Sequence, residues 1–271
     1  MATMTEALES LSDNSIRHIV PVSGGKDSAA LALYMLKKYP QIDFEYVFTD
    51  TDCELPETYE YLKKLEAILG KQINRVNALD YMNIDKKGGK RKAFDIILNE
   101  QYGGYLPSPR SRWCTGTLKI KPFELYVGNS TAYSYIGIRG DEDREGYIPK
   151  KPPKFSEKPN IVPVYPFKED GITLHDVKRI LEEEGIGLPD YYQWRSRSGC
   201  YFCFYQQIGE WQGLKEKHPD LFELAKQYEK TTGPKKFTWV QGRSLLELEN
   251  MDERYKIADM DDIEGCAICH I

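Results

Sequence analysis

Apolar positions cluster in short runs separated by longer, mixed stretches, and the spacing within each run sets the element it predicts. Residues 16–22, "IRHIVPV", read as a buried strand, and "DSAALALYMLKKY" after it places Leu31, Tyr34 and Met35 on one helical face. A second strand follows at 43–49. Pro56 then opens a helix over 57–69 that Gly70 closes, and 72–76 reads as a third short strand. Residues 91–127 read as two helical pieces broken by "GGYLPSPRSRW", and 132–138 as another strand. The polar, proline-rich segment from Asp141 to Pro163 reads as a surface loop. Thr173 starts a helix with the capping pattern "TLHD" and a stripe of Leu174, Val177, Ile180 and Leu181.

Strand–helix alternation of this kind predicts an α/β fold, a twisted parallel sheet with helices on both faces. From Tyr191 onward the chain turns to aromatics, cysteine pairs and short helices. The expected organisation is therefore an α/β nucleotide-binding domain over 1–190 and a small, cysteine-rich, mainly helical unit over 191–271. No internal repeat stands out.

Charge and composition narrow this picture only locally. The 271 residues are 41% hydrophobic and 29% charged, with a net charge of −5, which is ordinary globular composition. No apolar run is long enough to span a bilayer, and the opening "MATMTEALESLSDNS" has no signal pattern, so a cytoplasmic protein is expected. Basic residues concentrate at Lys86–Lys92 ("KKGGKRK"), Arg110–Lys121 and Lys150–Lys158, whereas Glu247–Glu264 is acidic. Such runs serve as solvated faces or as contacts to a polyanion, and the glycines at 88 and 89 suit a loop that closes over one.

The densest chemistry lies directly after the first strand. Ser23, Gly24, Gly25, Lys26, Asp27 and Ser28 form a glycine turn that re-emerges as a helix. Glycines let the backbone N–H groups at a helix start approach an anion, and the helix dipole favours negative charge there. Lys26 adds a cation, and Ser23 and Ser28 add hydroxyl donors. The Walker spacing fails, because Val20 stands where its first glycine belongs and Asp27 where its hydroxyl belongs. Arg139 and Lys119 are further candidate partners for phosphate or sulfate oxygens.

"SGGKDS" after a first strand resembles the PP-loop of the adenine nucleotide α-hydrolase superfamily. The chain is similar to its phosphoadenosine phosphosulfate (PAPS) reductase-like branch, and most of all to the DndC-type proteins of DNA phosphorothioation. "FTDTDCELPETYEY" (48–61), "SRWCTGTLKIKP" (111–122), "GIRGDEDREGY" (137–147) and "RSGCYFCF" (197–204) carry the same resemblance. It implies ATP cleavage to AMP and pyrophosphate, with Lys26 and Asp27 catalytic and Ser23, Gly24, Gly25, Ser28, Asp50, Thr51, Lys119, Gly137 and Arg139 around the nucleotide. Magnesium would accompany the phosphates, with Asp27 and Asp50 as candidate ligands. The intact loop matches members that adenylate a substrate for sulfur transfer. The implied partners are ATP, a nucleic acid (DNA or tRNA) and a sulfur-donor protein. The alternatives are a sulfonucleotide reductase and a non-catalytic nucleotide sensor.

Six cysteines complete the inventory. Cys200–Cys203 and Cys266–Cys269 are C-x-x-C pairs, a spacing that points to metal or redox chemistry. By the family resemblance Cys114 matches a position that ligates an iron–sulfur cluster. Cys114, Cys200, Cys203, Cys266 and Cys269 are thus the candidate ligands of a [4Fe-4S] cluster, with zinc as the alternative. The ending "GCAICHI" also reads as a mobile thiol pair beside His270, and Cys114 as a separate catalytic thiol. Cys53 reads as a packed small residue or a substrate-loop thiol. Tyr191, Tyr192, Trp194, Tyr201, Phe202 and Tyr205 are dense enough for a base-stacking surface or for packing.

Overall fold

A computed structural model describes residues 2–81, 92–143, 160–234, 236–251 and 253–257. Helix α1 (Met4–Glu9) precedes strand β1 (Arg17–Val22). Then follow α2 (Lys26–Lys38), β2 (Phe44–Asp50), α3 (Pro56–Leu69), β3 (Ile73–Asn77) and α4 (Ala78–Tyr81). Helix α5 (Ala93–Glu100) leads to α6 (Trp113–Thr115), a π-helical turn over Gly116–Ile120, α7 (Lys121–Val127) and β4 (Ala132–Tyr135). After β5 (Ile161–Val164) come α8 (Pro166–Glu169), α9 (Leu174–Glu183), α10 (Ile208–Lys217), α11 (Pro219–Lys226) and α12 (Leu245–Glu249).

The five strands form one sheet in the order β3-β2-β1-β4-β5, and every pairing is parallel. Each strand therefore needs a crossover, and the crossovers lay helices on both faces. On one face Val20, Val22, Phe44, Tyr46 and Phe48 pack with Leu31 and Met35 of α2, Leu62 and Leu65 of α3 and Val177 and Leu181 of α9. On the other, Ile19, Val47 and Val76 meet Phe123 and Val127 of α7. A further apolar core draws on both sides of residue 190: Leu55, Phe94, Ile97 and Trp113 pack with Tyr191, Trp194, Tyr201, Phe202, Trp211 and Trp239.

The α/β expectation holds, with local corrections. Helix α2 is buried from Lys26 to Leu33 and again at Met35, far wider than one stripe, because it is sandwiched between the sheet and α9. Strand β4 ends at Tyr135, and the segment to Arg139 leaves the sheet. The segment read as a loop up to Pro163 ends in β5 instead. Pro163 is tolerated there because β5 is an edge strand, where a missing N–H costs nothing on the open side.

The strand order reverses direction between β1 and β4, the place where open α/β sheets bind ligands at their carboxyl ends. Pairing between these two strands stops at Ile19 with Ser134. Pro21, just beyond, has no N–H to extend it. The strands part there, and the crevice between them receives the glycine turn on one side and residues 136–139 on the other.

Candidate functional site

The cradle is built by the turn from β1 into α2. Gly24 has φ +72, in the left-handed region, and a Cβ there would lie 2.5 Å from Thr58 Cγ2 on α3. Only glycine combines that backbone with that approach. Gly25 is the N-cap of α2 and supplies no side-chain cap, which leaves the helix start to other donors and acceptors. Ser23 N–H donates to Ser28 Oγ at 3.0 Å, and the two hydroxyls lie 3.1 Å apart. Ser28 Oγ also donates to the Gly25 carbonyl at 3.2 Å. The turn is thus braced from within.

Lys26, Asp27 and Arg139 form a buried ionic network, each at most 6% exposed. Lys26 Nζ lies 2.8 Å from Asp27 Oδ2, and Arg139 NH1 lies 3.1 Å from Asp27 Oδ1. Arg139 further contacts Asp141 at 2.8 Å and Glu142 at 2.9 Å. Burial alone would pull the Lys26 ammonium down, but Tyr192 and Asp27 outweigh it and hold its pKa above the ordinary value. The same contest, burial against Asp27 and Glu142, holds Arg139 up. Gly137 completes the crevice, since a Cβ on it would stand 3.1 Å from the Asp27 carbonyl oxygen.

Both oxygens of Asp27 are held by cations. The carboxylate offered by the sequence as a magnesium ligand is therefore the counter-ion of the cradle. Asp50, the other candidate, ends β2 and accepts at Oδ1 from Asp52 N–H and from the Tyr59 hydroxyl, both at 2.8 Å. Burial raises its pKa.

Thr51 and the cysteine loop meet beside the cradle. Thr51 Oγ1 donates to Glu54 Oε1 at 2.8 Å and lies 3.3 Å from Cys200 Sγ, while the Cys200 thiol points to the same Glu54 oxygen at 3.8 Å. Burial, then the Glu54 charge, pushes the Cys200 thiol well above its ordinary range, although Lys119 on the π-helical turn pulls the other way. Cys203 Sγ accepts from Arg197 NH2 at 3.4 Å. Cys114 is half-buried at the margin of the aromatic core.

Among the described residues no three His, Cys, Asp or Glu side chains gather where they could hold a metal ion. Cys200 Sγ lies against Thr51 and Glu54 and Cys203 Sγ against Arg197, so Cys114, Cys200 and Cys203 as placed do not gather into one three-thiol site. Cys266, Cys269 and His270 lie outside the described residues, as do Lys86–Arg91 and Lys150–Lys158. Cys53, 1% exposed, is a packed residue.

Several residues touch the cradle that the sequence did not place there. The Tyr191 hydroxyl donates to the Gly24 carbonyl at 2.8 Å, the Lys26 N–H donates to the Tyr192 hydroxyl at 3.3 Å, and Ser198 Oγ lies 3.4 Å from Ser23 Oγ. Tyr191, Trp194, Tyr201 and Phe202 are buried, so they pack rather than present a stacking surface. Glu54 lay unremarked inside the 48–61 motif. Its only sequence signal was its place one residue after Cys53 in a polar turn.

Residues 17–212 match the model of the phosphoadenosine phosphosulfate reductase domain. An uncharacterized protein of Methanocaldococcus jannaschii is 25% identical over 76% of this chain and 40% of its own length. An uncharacterized nin-region protein of Escherichia phage lambda is 30% identical over 47% of this chain and 49% of its own. The chain thus covers less than half the length of these relatives. Among solved structures, a PAPS reductase from Candida auris in a phosphate complex has a TM-score of 0.46 at 15% identity, covering 71% of this chain and 84% of its own. The U34-tRNA thiolase NcsA of Methanococcus maripaludis, with its [4Fe-4S] cluster, has a TM-score of 0.38 at 14% identity, covering 90% of this chain and 84% of its own. With most of its length matched by that one model, the chain belongs to the phosphoadenosine phosphosulfate reductase domain family.

Proposed function

We propose that the protein binds ATP in the β1–β4 crevice and cleaves it between the α- and β-phosphates, adenylating a substrate oxygen for sulfur transfer. The carrying observation is the convergence of Lys26 and Arg139 on Asp27 at the start of α2, beside an intact Ser23–Ser28 turn. Two buried cations meet at Asp27 there, Arg139 also holding Asp141 and Glu142, and a polyanion entering the crevice would compete with these carboxylates for both cations. The N–H groups of Gly25 and Lys26 are engaged only in long contacts of 3.4 and 3.3 Å, and an anionic oxygen is a stronger acceptor than either present partner.

The chemistry then runs as an exchange. The substrate oxygen attacks the α-phosphorus, the α–β anhydride breaks, and pyrophosphate leaves against Lys26 and Arg139. An incoming sulfur nucleophile displaces AMP. Magnesium arriving with the triphosphate would share its charge. No step is taken through an iron–sulfur or zinc centre. Iron, sulfide and zinc analysis of anaerobically purified protein decides whether the thiols, with Cys266 and Cys269, hold either.

The acceptor belongs to the same proposal: a nucleic acid, served by a sulfur-donor protein. The resemblance of its motifs to DndC-type proteins makes DNA the first acceptor to test and tRNA the second. Incubation with magnesium and ATP, with and without each nucleic acid, should yield AMP and pyrophosphate, and Lys26→Ala should abolish both. ADP and phosphate as products would refute the reading. Family membership keeps a second reading in play, a sulfonucleotide reductase. Thiol-dependent sulfite release from PAPS or adenylylsulfate, without AMP formation from ATP, would establish it instead. ATP binding without any turnover would identify a sensor.

A further inference from the structure

We infer that Tyr192 is a phosphate-displaced latch that ties the cradle to the cysteine loop. This rests on the reading of the Ser23–Ser28 turn as a phosphate cradle. Helix α2 has no side-chain cap, and the amide that opens it, Lys26 N–H, donates to the Tyr192 hydroxyl at 3.3 Å. The Lys26 ammonium lies 5.8 Å from the centre of the same ring. The Tyr192 hydroxyl therefore takes the donor that a phosphate oxygen on this helix start requires. A long bond to a neutral hydroxyl is weak, and a charge-assisted bond to phosphate is about twice as strong as a neutral one, so phosphate wins the exchange.

The displaced ring does not move alone. Tyr191 and Tyr192 are stacked with centroids 4.9 Å apart. Tyr191 is pinned to the Gly24 carbonyl, which makes it the pivot and Tyr192 the mobile arm. Further along the same segment, Ser198 reaches back to Ser23. A Cβ on Gly25 would lie 2.7 Å from Ser198 Oγ, so the loop already rests on the cradle backbone. Arg195, 1% exposed, binds the carbonyls of Gly199 at 3.0 Å and Cys200 at 2.8 Å. Residues 191–200 thus form one braced arm with the cradle at one end and the Cys200 thiol, held by Thr51 and Glu54, at the other. Phosphate entry lifts the first end and loosens the thiol at the second.

Inorganic pyrophosphate is the probe. Calorimetric titration of the full chain should give an affinity for Tyr192→Phe that exceeds the parent's by roughly threefold or more, the scale of one weak hydrogen bond removed from competition. Alkylation at Cys200, located by peptide mass spectrometry, should accelerate with saturating pyrophosphate in the parent and start fast in Tyr192→Phe. An affinity that is unchanged or lower in Tyr192→Phe, or Cys200 alkylation indifferent to pyrophosphate, would overturn the latch while leaving the cradle standing. If neither protein binds pyrophosphate and both match Lys26→Ala, the cradle reading falls and takes the latch with it.

Discussion

Arg139 reaches across the crevice to Asp27, 3.1 Å from NH1 to Oδ1, and joins the segment after β4 to the first turn of α2. Neither residue is near the other in sequence, and both are nearly excluded from water. Asp27 is the carboxylate that bonds both Lys26 and Arg139. Asp27→Asn would take from the buried Lys26 its carboxylate partner, while Arg139 keeps Asp141 and Glu142, at a cost of about 3–5 kcal/mol. Arg139→Gln should cost less, about 1–3 kcal/mol, because Lys26 still compensates Asp27, while Asp141 and Glu142, which also lose their partner, are more open to water than Asp27. Urea unfolding of the two variants checks the order. A smaller loss for Asp27→Asn would show that the network is not organised around that carboxylate.

Gly25 and Gly24 are constrained differently, and paired substitutions separate the two causes. Gly25 has ordinary φ, so its limit is steric: Ser198 Oγ lies 2.7 Å from a would-be Cβ and Ser198 Cβ 3.1 Å. Gly25→Ala should cost about 1–3 kcal/mol as an overpacked contact. Ser198→Ala in the same chain should recover most of that. Gly24→Ala meets Thr58 Cγ2 at 2.5 Å and also carries φ +72, a conformation worth roughly 1–2 kcal/mol against any residue with a Cβ. Thr58→Ser removes the methyl group but not the backbone strain, so rescue there should be partial. Thermal denaturation of the four proteins tests this, and full rescue by Thr58→Ser would contradict it.

Much of this site was legible because its residues sit in one continuous stretch. A strand, two glycines, a lysine and a helix start in that order are the local ingredients of an anion-binding turn, and all of them are read from one short stretch. Arg139 was legible as a candidate because it follows a strand, and strand ends converge in a parallel sheet. Tyr192 and Ser198 were not, because their contact with the cradle spans more than 160 residues and depends on how the aromatic core seats the 191–200 segment. β5 was hidden by Pro163, which marks a loop in most contexts but is compatible with an edge strand. The C-x-x-C spacing suggests thiolate ligands but carries no information about neighbours, and in the fold Cys200 meets a buried glutamate.

Asp50 gives the fold a pH dependence whose sign follows from its burial. Its carboxyl has a pKa raised from 3.8, chiefly by desolvation. A raised carboxyl pKa means the folded state prefers the proton. Its contribution to stability is full below pH 3.8 and is lost as the pH rises through the higher folded value. Asp50→Asn keeps the acceptor oxygen for Asp52 N–H and the Tyr59 hydroxyl without the charge. The variant should therefore unfold at a higher temperature than the parent at pH 7, with the difference shrinking toward pH 4. A variant less stable at pH 7 would mean that the Asp50 charge is compensated by a group other than these two donors.

Removing Arg195 should release the loop that carries Cys200 from its other end. Its guanidinium is the donor for two carbonyls in that loop, at Gly199 and Cys200. Arg195→Met fills similar space but leaves both acceptors unpaired, a loss of about 2–4 kcal/mol. In the parent at pH 7, Cys200 should alkylate slowly, because burial and then Glu54 push its thiol up and only the thiolate reacts. Cys53 provides the control, since it is 1% exposed and its own carbonyl accepts the Tyr201 N–H at 2.9 Å. Global unfolding would expose both thiols together, whereas release of the loop should speed Cys200 and leave Cys53 protected. Glu54→Gln should also speed Cys200, by removing the charge that opposes its ionisation, without the stability loss of Arg195→Met. Equal acceleration of Cys53 and Cys200 in Arg195→Met would mean that the arm and the core beneath it open as one unit.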